Sequence, residues 1–361
     1  MIDADSLRTY FSGRDLYALI RQLKRGELDD PISEQLALGL KQVVSERDIE
    51  CFTLTDTWRF ATRNVAARSR LIFLSEHGPY DRIIDASCGI GLMLRELASL
   101  KPETLIGFEI DPVSAELARA NLKLFSIDAQ VRVIDSTSAE ALGLITSADL
   151  VFCDPERVAH AHTRTLDEST PSFSLLSSHA RRLAYETSPR LPVEALPGVV
   201  ELYSERRRHA RTTLYLGFGA PLRRVVSDRS EVLSGTPAPL RSTPIGSGAF
   251  VELLDPTIVK AGLGYLLGDW HEASTKYLRL TDSPEPGPFI DAYRIIERGD
   301  LAALRAAAVE LSDFNRIALR YPVPPGAYWR EANAIRKSSN GSRTIHVFKL
   351  ETEYLLTEPI P

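Results

Sequence analysis

The chain has 361 residues, of which 44% are hydrophobic and 25% charged, with a formal net charge of −5. That length suits two or three domains with cores of their own, and the composition is that of an ordinary globular protein. The negative balance argues against a protein that coats nucleic acid nonspecifically, but it leaves room for specific RNA contacts, which depend on local patches. No apolar run approaches the ~18–20 residues of a transmembrane helix. The N-terminus (Met-Ile-Asp-Ala-Asp-Ser) is acidic and lacks an apolar core, so no signal peptide is expected. Cys51, Cys88 and Cys153 are too widely spaced for a disulfide framework or a zinc pattern, and a reducing, cytoplasmic setting is the expectation.

Residues 1–75 read as an N-terminal helical segment. Leu7, Tyr10, Phe11, Leu16, Ile20 and Leu23 recur at helical spacing, and Leu36, Leu38, Leu40, Val43 and Val44 form a second such set. A third helix is expected between Asp56 and Ser75, with Phe60, Ala67, Leu71 and Leu74 on one face and Arg59, Arg63, Arg68 and Arg70 along it. At Arg82 the texture changes to buried strands alternating with helices. Strands are expected at Ile83–Ile84, Thr104–Glu109, Val131–Ile134 and Ala148–Cys153, joined by right-handed crossovers into a parallel sheet. Asp111 is placed to cap the helix that begins at Pro112. Leu183–Tyr185, Val199–Tyr203 and Thr212–Leu216 supply three further strands, which takes the α/β core over residues 76–225. Residues 221–248, rich in Pro, Ser, Gly and Arg, read as a hairpin or linker. The remainder, 226–361, reads as an α+β domain. It has helices over Thr257–Leu267 and Leu301–Leu311, a loop at Ser283–Pro288 and a strand at Thr344–Leu350. Trp58, Trp270 and Trp329 are expected in cores or interfaces.

The chemistry concentrates at strand ends. Asp85-Ala-Ser-Cys-Gly-Ile-Gly91 joins a strand to a helix, where glycine lets backbone approach a ligand and the helix start offers free N–H groups. Glu109 stands about twenty residues on, where an acid can hold both hydroxyls of a ribose. A dinucleotide fingerprint wants a third glycine where this chain has Leu94, and Asp85 would repel a pyrophosphate. The pattern therefore favours S-adenosylmethionine (SAM), with Asp85 meeting the methionine amino group directly or through water. Asp135 follows the third strand, where an adenine amino group can be bound. Asp154-Pro155-Glu156-Arg157 follows the fourth, at the carboxyl edge where ligands gather in such sheets. Ser87, Cys88, Gly89, Gly91, Ile110 and Ser136 complete the cofactor-binding set.

These motifs resemble the class I SAM-dependent methyltransferases. More narrowly, the chain resembles the prokaryotic methyltransferases that carry a THUMP-like C-terminal domain, through Asp154-Pro155-x-Arg157 and the stretch Phe250-Val-Glu-Leu-Leu-Asp-Pro-Thr-Ile-Val-Lys-Ala-Gly-Leu263. The resemblance implies a Rossmann-like methyltransferase core between an N-terminal helical segment and a C-terminal α+β, THUMP-like domain. It also implies SAM as cofactor and N-methylation of a base in structured RNA (tRNA or rRNA), with Asp154, Pro155 and Arg157 as catalytic residues. Methyltransferases of exocyclic amines usually carry Pro-Pro-aromatic after the acid. Here Glu156 and Arg157 depart from that pattern, although a guanidinium plane can stack on a base. The patch Arg206-Arg-Arg-His-Ala-Arg211, with Arg181 and Arg182, reads either as an RNA footprint or as a solvated charged edge. Cys153 precedes Asp154 and by strand alternation points away from it, and Cys88 packs in the turn. His160 and His162 are too isolated for a metal site, so no metal is expected. Arg59, Thr62 and Arg68 lie on a helix read first as a plain packed one, with folding over the cofactor pocket as the alternative, and Tyr185 with Ser188 and Pro189 are expected to border the substrate cleft. Two alternatives stay open: a protein or small-molecule methyltransferase, and a non-catalytic RNA-binding protein on this scaffold.

Overall fold

The computed structural model describes residues 2–47, 49–55, 64–157, 165–273, 276–311, 314–324, 326–335 and 341–360. It divides into two compact units, residues 1–203 with 211–222, and residues 204–210 with 223–361.

The first unit opens with α1 (Ala4–Phe11), α2 (Leu16–Arg25) and α3 (Pro31–Arg47). Asp3 caps α1 by accepting from Ser6 N, Asp15 caps α2 by accepting from Tyr17 N and Ala18 N, and Gly26 closes α2 at φ 66. Their apolar faces (Leu7, Leu19, Leu23, Leu36) join one core with Ile90, Leu92, Leu117 and Leu124, so the helices pack behind the glycine turn. α4 (Asn64–Ser75) leads into the sheet. There follow β1 (Arg82–Asp85), α5 (Leu92–Leu97), β2 (Thr104–Glu109), α6 (Pro112–Leu124), β3 (Gln130–Val133), α7 (Ala139–Thr146) and β4 (Leu150–Cys153). Then come the short pair β5 (Glu156–Arg157) and β6 (Ser169–Thr170), α8 (Phe173–Ser177), β7 (Leu183–Thr187), β8 (Val199–Glu205) and β9 (Arg208–Leu216). Asp111 caps α6 ahead of Pro112, accepting from Val113 N and Ser114 N.

Across this unit the strand order is β8-β9-β7-β4-β1-β2-β3. β3, β2, β1, β4 and β7 run parallel, and β9 pairs antiparallel with β7. Every residue of β4 and β7 is buried, as a parallel strand covered on both faces requires. The order reverses between β1 and β4, which opens a crevice at the carboxyl ends of those strands. The antiparallel β9 departs from the dinucleotide-binding sheet, whose six strands run parallel in the order 3-2-1-4-5-6.

The second unit holds β10 (Leu222–Ser227), β11 (Val232–Gly235), β12 (Phe250–Leu254), α9 (Pro256–Lys260), β13 (His271–Ala273), β14 (Lys276–Thr281) and β15 (Ile290–Gly299). It continues with α10 (Leu301–Glu310), β16 (Phe314–Leu319), α11 (Tyr328–Ile335), β17 (Arg343–Lys349) and β18 (Tyr354–Pro359). β10 and β11 form a hairpin. The other strands make a seven-stranded sheet in the order β13-β14-β12-β15-β18-β17-β16, antiparallel except where β16 meets β17. α10 and α11 cover it through Leu304, Ala308, Ala332 and Ile335.

Two expectations need correction here. The helix read over Thr257–Leu267 stops at Lys260, because Gly262 takes φ +70 and ends it in the left-handed region, and only a 3-10 turn follows at Gly264–Leu267. Trp270 is fully buried, with the Arg279 guanidinium 4.6 Å over its ring, but Trp329 is 65% exposed on α11 and belongs to no core. Trp58 lies outside the described residues.

Candidate active site

The turn after β1 is shaped by three glycines. Gly91 sits at φ +83 just before α5, and a Cβ there would lie 3.3 Å from Ala118 of α6. Gly89, at φ +52, would direct a Cβ into open space, so its backbone faces room for a ligand. The third glycine is on the neighbouring strand. A Cβ on Gly107 of β2 would come within 2.6 Å of Leu94 Cδ1 and 2.8 Å of Cys88 Sγ. Leu94 thus fills the place of a fingerprint glycine because β2 yields the volume. Asn121 of α6, fully buried, holds the turn from behind by donating to Ile90 O at 2.9 Å while exchanging bonds with Phe52 N and O.

Four acids stand at successive strand ends. Asp85 is fully buried; Oδ1 accepts from Ser87 N at 3.1 Å and Oδ2 has no hydrogen-bond partner. Burial pushes its pKa up to about 8; the charges of Asp154 and Glu109 add to the rise, against the Ser87 N–H and Arg70. Glu109 is held by two backbone donors, Gly89 N to Oε2 and Asp111 N to Oε1, each at 2.8 Å. Each of its oxygens retains a lone pair for a further donor, and burial raises its pKa despite those bonds. Asp135 is exposed and accepts from Thr137 N and Oγ1, bonds that hold its pKa below the usual value. Ser136 is buried, and its Oγ donates to Ala86 O, tying the end of β3 to the glycine turn. Ile110 is 67% exposed.

Ser87 joins the turn to the end of β4, since Asp154 N donates to its Oγ at 2.9 Å. The Asp154 carboxylate faces Arg211 of β9, with Nη1 at 3.5 Å from Oδ2, and the same Nη1 lies 3.0 Å from Glu186 Oε2 on β7. Arg70 of α4 pairs with the other oxygen of Glu186 and lays its guanidinium 5.5 Å from the centre of the Phe152 ring. Arg70 and Glu186 are buried to 1% and 0% exposure. Such a pair must stay intact, because either charge alone in that setting is costly. Pro155 is buried beside Asp154. Arg157 pairs through its backbone with Ser169, and its side chain lies outside the described residues.

The remaining expectations divide. Cys153 is fully buried with its thiol pKa pushed well above the usual value by burial, and Cys88 packs against Gly107. Arg68 is exposed, while Arg59, Thr62, His160 and His162 lie outside the described residues. Tyr185 does not border a cleft. It is fully buried, donates to Pro171 O at 3.0 Å and meets Phe173 edge-on. Ser188 is buried too, its Oγ accepting from Arg190 N. Several arginines of the expected patch have partners within the protein. Arg211 is consumed by Asp154 and Glu186, Arg207 pairs with Asp291, and Arg182 donates to His77 O at 2.9 Å. Asn121, Glu186 and the roles of Arg70 and Arg211 escaped the sequence reading. The one signal available was a polar Asn121 on the apolar face set by Leu117, Ala120 and Leu124. Among the described residues no cluster of His, Cys, Asp and Glu has the form of a metal site.

No protein-family model matches the chain, and no curated protein matches it in sequence. Among solved structures, a candidate methyltransferase from Porphyromonas gingivalis overlays at a TM-score of 0.71, with 14% identity over 99% of this chain and 97% of that one. A 16S rRNA N2 methyltransferase of T. thermophilus (TM-score 0.33, 21% identity, 39% of each chain) and the Pyrococcus abyssi tRNA (uracil-54, C5)-methyltransferase (TM-score 0.26, 23% identity, 35% of this chain and 29% of that) overlay only in part. The full-length overlay, with the sheet order above, gives the fold: a Rossmann-like class I methyltransferase core with a further α+β unit.

Proposed function

We propose that this protein is a SAM-dependent methyltransferase that N-methylates a base in structured RNA. The observation that carries the reading is the crevice between β1 and β4. There a glycine turn with open space at Gly89, the buried and half-unpartnered Asp85, the doubly anchored Glu109 and the Asp154–Pro155 step converge. These residues fit SAM. Glu109 has lone pairs left for ribose hydroxyls, Asp135 and Ser136 would take the adenine edge, and Asp85 would offer a carboxyl to a methionine ammonium. When bound, SAM supplies an electrophilic methyl group on its sulfonium.

The chain's own residues then act by positioning, since a methyl displacement is in-line and gains most from a fixed approach. Asp154 pairs with Arg211 and is positioned by its backbone bond to Ser87, so it accepts an N–H of the base amine and orients the nitrogen lone pair. No strong base is needed, because the amine proton can leave after attack. A base inside a helix has to be extruded to reach the crevice. Arg157, next in chain to the Asp154–Glu156 segment, supplies a planar cation for stacking.

The test is transfer of labelled methyl from SAM to total tRNA and rRNA by the wild type and by Asp154→Asn. Ribonuclease-sensitive label that falls at least about a hundredfold in the variant, with SAM affinity kept, is the expected result. Label confined to ribonuclease-resistant material would move the substrate to a protein or small molecule, and no label with no SAM binding would leave only a scaffold.

A further inference from the structure

The second unit contains a cavity of about 320 Å3 whose polar wall carries Arg206, Arg207, Arg229, Lys276 and Arg320 against Asp228, Asp255 and Asp291. The three carboxylates are already engaged. Asp255 accepts from Ser204 Oγ at 2.6 Å and Thr257 N at 2.7 Å, Asp228 accepts from Arg206 N at 3.0 Å, and Asp291 holds Arg207 Nε at 2.9 Å. Arg207 spends its other nitrogens on Gly287 O and Pro288 O. Arg320 lines the cavity while donating Nε to His346 Nδ1 at 2.8 Å, which fixes that nitrogen as an acceptor, and Nη2 to the Tyr293 hydroxyl at 3.4 Å.

The cationic groups of Arg206, Arg229 and Lys276 have no carboxylate or carbonyl partner among the described residues. Arg206 and Arg229 stand in water, where an unpaired charge is ordinary. Lys276 is only partly exposed, and burial with the Arg320 charge holds its pKa below the usual value. An ammonium withdrawn from water beside a guanidinium is unfavourable until an anion enters between them. The hairpin tip adds an independent sign. The β8–β9 connection is two residues long, Arg206 at φ +49 and Arg207 at φ +59. Such a turn favours Asn-Gly, and arginine is strained there. The bonds of Arg207 account for one of the two, whereas the Arg206 side chain takes no part in the bond that its backbone N–H makes to Asp228 and carries a cation at the cavity rim.

We propose that this cavity is a phosphoryl-anion site, seated between Lys276, Arg229, Arg206 and Arg320, that takes a phosphodiester of the RNA substrate. The anion chemistry stands on these residues alone, and the RNA source rests on the function proposed above. Two probes separate them, both with the full chain. Inorganic phosphate is titrated and followed by phosphorus line broadening, and bulk tRNA binding is measured across a salt series. The variants are Lys276→Ala/Arg229→Ala, Lys276→Arg, and Arg206→Asn, which tolerates the turn.

The double variant is expected to weaken tRNA binding about tenfold and to lower the slope of log affinity against log salt by about one to two. Lys276→Arg restores both, and SAM affinity stays at the wild-type value throughout. If phosphate binds and the double variant abolishes it while tRNA is not bound at all, the anion site stands with a free phosphate as its ligand, and the RNA reading falls. If tRNA affinity and salt slope are unchanged in the double variant, and phosphate binding is absent or equally unchanged, the proposal is overturned.

Discussion

Asp85 makes a prediction that needs no substrate. Its carboxyl is fully buried, has one oxygen without a partner, and is pushed up to about 8 from an ordinary 3.8. A carboxyl raised in the folded state holds its proton more tightly there than in the unfolded chain. Its contribution to stability is therefore full below an unfolded value near 4 and is lost as pH rises through about 8. Each pH unit within that window costs about 1.4 kcal/mol, so the shift taken whole removes roughly 4 kcal/mol between about pH 5 and pH 8. Relaxation and water entry around a buried charge reduce such figures, which sets the expected loss at about 2–4 kcal/mol. Asp85→Asn keeps the shape and deletes the titration. The unpaired amide hydrogens it introduces carry a penalty of their own, but that penalty does not vary with pH and cancels when slopes are compared. Urea unfolding of both proteins without SAM, at about pH 5 and about pH 8, reads the difference, monitored by a probe in the first unit because two units need not unfold together. The wild type should lose about 2–4 kcal/mol more than the variant over that interval. Parallel pH profiles would refute the reasoning and place Asp85 in contact with a cation or with water.

The glycines of the turn should separate stability from binding. Gly91→Ala meets both a positive φ and Ala118 at 3.3 Å, whereas Gly89→Ala meets only the φ. The first should cost about 2–3 kcal/mol and the second about 1–2 kcal/mol in urea unfolding, yet Gly89→Ala should weaken SAM in calorimetry out of proportion to its stability loss. Arg70→Met removes a charged partner of the fully buried Glu186, and a loss of about 3 kcal/mol or more is expected. Arg70→Met/Glu186→Gln should recover much of it, and an additive double variant would show that the two do not interact. Cys153 should resist maleimide in the native protein near pH 8, because its thiol is buried and held far above its usual pKa. Labelling as fast as that of an exposed thiol would overturn that account and reopen a nucleophilic role.

Much of the first unit is written in short-range signals. The run Leu150–Cys153, the cap Asp111 before Pro112, and the spacing from Asp85 through Gly91 to Glu109 are each decided within a few residues by period, capping and turn chemistry. They determine strands, helices and which residues arrive at the carboxyl edge. The second unit is less legible, since β12 to β18 are mostly antiparallel strands with polar exposed positions, and their pairing depends on partners far away in sequence. Gly262 shows the same limit in miniature: a helical pattern continues through it, and only a left-handed backbone reveals the stop.

What the tertiary structure alone decided is partnership. Leu94 is tolerated because Gly107, on another strand, gives up the volume. Arg70, Asp154, Glu186 and Arg211 come from four elements and meet because β4, β7 and β9 lie side by side with α4 near their ends. The run Arg206–Arg211 looks like a single charge patch in sequence, but its members take different partners, Arg207 with Asp291 and Arg211 with Asp154 and Glu186. A linear sequence records which charges exist, while desolvation and pairing, which set their pKa values and their roles, arise only when distant segments exclude water from one another.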